Sequence, residues 1–174
     1  MKFEQINKTT ISYASSANLS VLALKYREEN VASEIIIEEL LKSPFMNWMG
    51  SDKERLHGPF RVDSLSVEDF KSLTFEDMLH HTIEFIQQSI LDKEIEDNGS
   101  KFLESVQSEF MKVKSNGNEY YEFIYVFDKS TFDEGILLEK RIRLSDWFPF
   151  SVFKSCIIIN HALQIVYKIE IADD

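Results

Sequence analysis

The sequence predicts an α+β fold in which N-terminal helices pack on one face of a C-terminal antiparallel sheet. Three observations carry that expectation. Apolar residues recur at helical spacing around positions 35–41 and 75–90. Past about residue 106 the period shortens to two, as in strands. Asn116-Gly117 then separates two apolar-rich runs, a strong short-range hairpin signal. At 174 residues one domain is expected, residues 1–174. Residues 1–105 are read as mainly helical with short N-terminal strands. Residues 106–174 are read as an antiparallel meander of about five strands.

Taken in order, Lys2–Ile6 and Thr9–Ala14 are short β-prone pieces. Leu19–Arg27 fits either period. Leu19, Leu22, Ala23 and Tyr26 suit a helical stripe, whereas Leu22, Leu24 and Tyr26 suit a strand, and propensity leans to helix. Ile35, Ile36, Ile37, Leu40 and Leu41, with Glu34, Glu38 and Glu39 between them, make an amphipathic helix that Pro44 must stop. Residues 45–62 are irregular and aromatic, with Phe45, Met46, Trp48, Met49 and Phe60. Such a loop either plugs the core or offers a contact surface, and plugging is the commoner role.

Ser66 and Thr74 each precede acids and suit helix N-caps. The helix after Thr74 buries Phe75, Met78, Leu79, Ile83, Ile86 and Ile90 on one face. A further short helix is expected over Lys101 to Val106. Glu109–Lys114 and Glu119–Asp128 are then read as hairpin strands around Asn116-Gly117, and Ile136–Leu144 as another strand. The chain ends in a hairpin. Cys156–Ile159 is a continuous apolar run, Asn160-His161 suits a turn, and apolar residues alternate from Leu163 to Ile171. That alternation places Lys168 and Glu170 on a wet face.

Composition narrows the function classes. The net charge is −11, from 30 acids and 19 bases, and it is spread evenly along the chain. Nucleic-acid binding is disfavoured, since it needs clustered Lys and Arg. A membrane partner is disfavoured for the same reason, and no apolar run approaches the ~18 residues of a span. A single cysteine excludes an internal disulfide and fits a reducing compartment, so a cytoplasmic location is expected. Five glycines leave little material for a phosphate-cradling loop. The chain carries no Gly-x-Gly-x-x-Gly, Gly-x-Ser-x-Gly, His-Glu-x-x-His or Cys-x-x-Cys, so no cofactor is expected.

Three constellations carry residue types that could do chemistry. His80 and Glu84 stand one helical turn apart and match metal-ligand spacing, but Glu76 lies about 12 Å from Glu84, so a solvated face is preferred and no metal is expected. Cys156 with His161 matches a thiolate–imidazole pair, yet Ile157–Ile159 beside it point to a buried, inert thiol. His57 is the lone histidine of the aromatic loop and has no partner in sequence, so it is read as structural.

Two functions remain. The first is a small acidic binding protein engaging a protein partner, a basic one by charge complementarity, in the manner of an immunity or inhibitor protein that neutralises a toxin. Its candidate partner-binding residues are Trp48, Asp52, Glu54, Asp133, Glu134 and Trp147. The second is a small-molecule-binding protein or simple acid–base enzyme, with an aromatic-lined pocket between a helix and a curved sheet.

Overall fold

Two long strands, not helices, begin the chain. In the computed structural model, which describes residues 1–13, 17–47, 55–91, 96–129, 142–145 and 151–173, strand β1 (Glu4–Tyr13) pairs antiparallel with β2 (Ala17–Lys25). Helix α1 (Ser33–Lys42) follows, then a 3-10 turn over Pro44–Met46 and a small hairpin of β3 (Leu56–His57) and β4 (Phe60–Arg61). Next come β5 (Phe70–Leu73), α2 (Phe75–Ser89), α3 (Glu96–Val113), β6 (Asn118–Phe123), β7 (Phe127–Asp128), β8 (Val152–Asn160) and β9 (Ile165–Asp173). The described strands of the main sheet run in the order β1-β2-β9-β8-β6-β5, with β7 also on β8, and each pairing is antiparallel.

The mixed helix-and-antiparallel-sheet class is as expected, but the arrangement is not. The N-terminal hairpin docks through β2 onto the C-terminal strand β9, register Leu22↔Lys168. The sheet is therefore closed by the most distant parts of the chain, which no sequential meander provides. Nor do the helices share one face. Leu22, Leu24, Phe153, Ile157 and Ile159 pack with Ile36, Ile37 and Leu40 of α1. Leu19, Val21, Cys156, Ile158 and Ile169 pack with Met78 and Ile86 of α2 and Val106 and Phe110 of α3. The sheet is thus the middle of three layers, which is why every residue of β8 is buried.

Local misreadings share that cause. Of Leu19–Arg27, residues 19–25 lie in strand β2, which is paired on both edges and covered on both faces. An inner strand needs no alternation, so its apolar run mimics a helix. Of Glu109–Lys114, residues 109–113 are the end of α3, not a hairpin arm. Phe102, Val106, Phe110 and Val113 are its buried stripe, a helical spacing. Asn118 closes the helix end by donating from its amide to the Val113 carbonyl at 2.8 Å. Ser66 caps only a 3-10 turn, Val67–Asp69. Of the expected strand Ile136–Leu144, residues 142–144 are described, and Leu144 bridges Phe60.

Other expectations hold. Thr74 caps α2 by accepting from the Asp77 amide at 3.1 Å. The described part of the aromatic loop plugs the core, with Met46 and Phe60 fully buried. Cys156 is buried, and burial pushes its thiol up to about 11, against the pull of Lys154. A thiol so placed is inert. The folded protein is expected to resist iodoacetamide at pH 8 for hours and to label fully in 6 M guanidinium, about the concentration that unfolds small domains. Rapid labelling of the native protein, read by mass spectrometry, would contradict this burial. No helix among the described residues is long and apolar enough to cross a membrane.

Candidate functional site

The face of the sheet under α1 is not uniformly apolar. Strand registers line up one polar row across four strands. Thr10 sits opposite Ser20, Ser20 opposite Glu170, and Glu170 opposite Ser155. The adjoining row runs Lys8, Leu22, Lys168, Ile157 by the same pairings. Because side chains alternate along each strand, both rows point to the same side. They meet the Pro44–Asn47 turn across a cleft of about 390 Å³, lined by Lys8, Thr10, Ser20, Phe45, Lys168 and Glu170 among others.

At its floor are two charges that the alternation rule placed on a wet face. They are buried instead. The Lys168 and Glu170 side chains are 4% and 3% exposed, and Lys168 Nζ lies 2.8 Å from Glu170 Oε1. The correction has a plain cause. α1 and the loop after it cover the face that alternation alone assigns to solvent.

His57 completes the group. The turn at Gly58, with φ +58°, folds β3 onto β4 and drops the imidazole onto the sheet. The ring is wholly buried, edge-on to Phe123 and Phe153 at 5.2 and 5.1 Å between centroids. Its Nδ1 is 3.2 Å from Glu170 Oε1, without the alignment of a hydrogen bond, and Nε2 has no partner among the described residues. The Ser155 hydroxyl is likewise buried and unpartnered among them. Burial holds the imidazole below its ordinary value, though Glu170 pulls the other way. Burial also pushes the Glu170 carboxyl up, but Lys168 and His57 outweigh it, so the carboxyl stays below the usual range. At neutral pH the set is therefore a carboxylate between an ammonium and a neutral imidazole.

That ionisation makes a pH prediction. A depressed imidazole pKa means that the unfolded chain takes the proton first as pH falls. The stabilisation is present above about pH 6.5 and is lost on acidification, at up to about 1.4 kcal/mol per pH unit for one group. His57→Phe, which keeps an aromatic ring among Phe123 and Phe153, is expected to flatten the fall in urea-unfolding free energy between pH 7.5 and 5.5. The other three histidines stay in both proteins, so the difference isolates His57. Identical slopes would place the proton elsewhere.

Two other polar groups bracket the sheet. Ser33, at the start of α1, donates to Glu119 Oε2 at 2.7 Å, as does the Tyr121 hydroxyl, while His161 Nε2 lies 2.9 Å from Ser33 Oγ. The Tyr121 hydroxyl holds the Glu119 carboxyl low against its partial burial, with help from Ser33 and His161, and burial beside Glu119 pushes Tyr121 up to about 12. This ties α1 to the β8–β9 turn, so His161 joins a latch and not a pair with Cys156. On the opposite face, Glu122 bonds His81 Nδ1 at 2.9 Å and the buried Lys154 ammonium beside an open groove of about 630 Å³. Glu76, His80 and Glu84 lie on the exposed face of α2, and Glu76 pairs with Lys114. No group of three acids, histidines or cysteines among the described residues is arranged to hold a metal ion.

The expected contact residues Trp48, Asp52, Glu54, Asp133, Glu134 and Trp147 all lie outside the described residues. Of the aromatic residues that could line a pocket, 147–150 lie outside the described residues. Phe123, Tyr125 and Phe127 pack against Phe60 as core. Lys168 and Glu170 were missed because only strand pairing shows that Ser20, Thr10 and Ser155 share their row. The available signal was the pair itself, two opposite charges at i and i+2 in an otherwise apolar strand.

Set beside known protein families, curated proteins and solved structures, the chain matches none of them.

Proposed function

We propose that the protein binds a small polar molecule in the cleft between β1, β2 and β9 and the Pro44–Asn47 turn. One observation supports it above others: a buried Lys168–Glu170 pair, backed by the fully buried His57, forms the floor of an open cleft. Apolar side chains in those places would give a core of equal or greater stability, because desolvating an ion pair costs about as much as the pair returns. Charges kept there and facing a cleft of suitable size are the usual mark of a binding site.

The test blocks the cleft without disturbing the core. Thr10 is an exposed cleft-wall residue, so Thr10→Trp fills the space from outside. Compounds from a metabolite library are expected to raise the melting temperature of the wild-type protein and not of Thr10→Trp. A library that stabilises neither, or both equally, would remove the reading.

A second reading, an acidic protein that engages a basic protein partner, is favoured by the net charge of −11 and by the exposed Glu34 and Glu38 on the outer face of α1. In the concrete form, an immunity or inhibitor protein, binding of a cationic partner weakens steeply with salt. Affinity capture at low ionic strength that returns no basic protein argues against it.

A further inference from the structure

We infer that the molecule held in the cleft is a small organic anion with an apolar body, an inference that rests on the cleft being a binding site. The charges of its lining point that way. In a chain of net charge −11 the cleft presents Lys8, Lys168 and Glu170, a local excess of positive charge. Glu170 is already engaged by Lys168 and His57, so it is poorly placed to serve a cation. Lys8 is exposed and forms no ion pair among the described residues. Lys168 carries three donors and is ion-paired with Glu170 Oε1 at 2.8 Å. Leu22 stands between Lys8 and Lys168 in their row, and the Thr10 and Ser20 hydroxyls, brought side by side by the β1–β2 register, lie in the adjoining row. Two cations and two hydroxyl donors on one wall suit a carboxylate or phosphate oxygen set.

The facing wall is of another kind. Pro44 and the half-buried Phe45 line it beside Asn47, with Leu22 below. A flat apolar group lies against such a wall, while its anionic head reaches the strands. The cleft, at about 390 Å³, accommodates a ligand of one ring and a head group.

Four probes that share a ring separate the possibilities: benzoate, phenyl phosphate, benzyl alcohol and benzamidinium. Each is titrated into isotope-labelled protein, and the amides of Lys8, Ser20 and Glu170 are followed by NMR. Benzoate or phenyl phosphate is expected to shift them with the lowest dissociation constant, and the stronger of the two tells carboxylate from phosphate recognition. Lys8→Gln, a surface change that leaves the core alone, is expected to weaken the anion by about tenfold, the worth of one charged hydrogen bond. Lys8→Arg is expected to restore it, and added salt to weaken it. Tighter binding of benzyl alcohol or benzamidinium at these amides would overturn the anion assignment and leave the cleft standing as a site. Failure of either anion to shift the amides, or anion binding unchanged in Lys8→Gln, would overturn it too. Failure of all four probes, together with a metabolite library that stabilises neither wild type nor Thr10→Trp, would remove the site with it.

Discussion

Replacing Gly58 with alanine is expected to cost about 3 kcal/mol or more, the sum of left-handed backbone strain and overpacking. Gly58 has φ +58°, where any side chain is strained. A methyl there would also fall on the Phe153 ring, 2.6 Å from Cδ2 and closer still to Cγ and Cδ1. Phe153 is fully buried against His57 and Phe60 and cannot retreat without moving both. Gly117 supplies the control. Its φ is +84°, but a methyl there meets nothing within 4 Å. Gly117→Ala should therefore lose only the backbone part, about 1 kcal/mol. Urea denaturation of both variants measures the difference. Equal losses would mean that the β3–β4 turn does not press on Phe153, and that His57 is not seated as described.

The second large effect lies in the buried ion pair. Glu170→Leu strands the Lys168 ammonium under α1 and is expected to cost about 3–5 kcal/mol, and Lys168→Met is expected to cost a similar amount by stranding the carboxylate. The double variant should lose much less than the sum, because it removes both charges and strands neither. A double-mutant cycle in urea gives the coupling directly. Additive losses would show that the two side chains do not share a dry environment. A stable double variant that no longer responds to any cleft ligand would tie the pair to binding and not to folding.

Much of the local structure is legible in the residues. The apolar stripe from Phe75 and the Thr74 cap specify α2, because period and cap chemistry act within a few residues. The same holds for α1, ended by Pro44, and for the β8–β9 hairpin. The burial of Cys156 follows from its apolar neighbours. The mixed helix-and-sheet class follows from two periodicities in one chain.

What tertiary structure alone decided is which strands meet. The β2–β9 pairing joins the two ends of the chain, and no local pattern encodes a partner 140 residues or more away. That one pairing made β2 and β9 inner strands and turned the N-terminal hairpin into one wall of the sheet. With α1 laid over it, the pairing converted Lys168 and Glu170 from surface charges into a buried pair beside Ser20. Alternation in a sequence records which residues share a face. Whether that face is wet depends on what covers it, and the cover comes from residues remote in the chain.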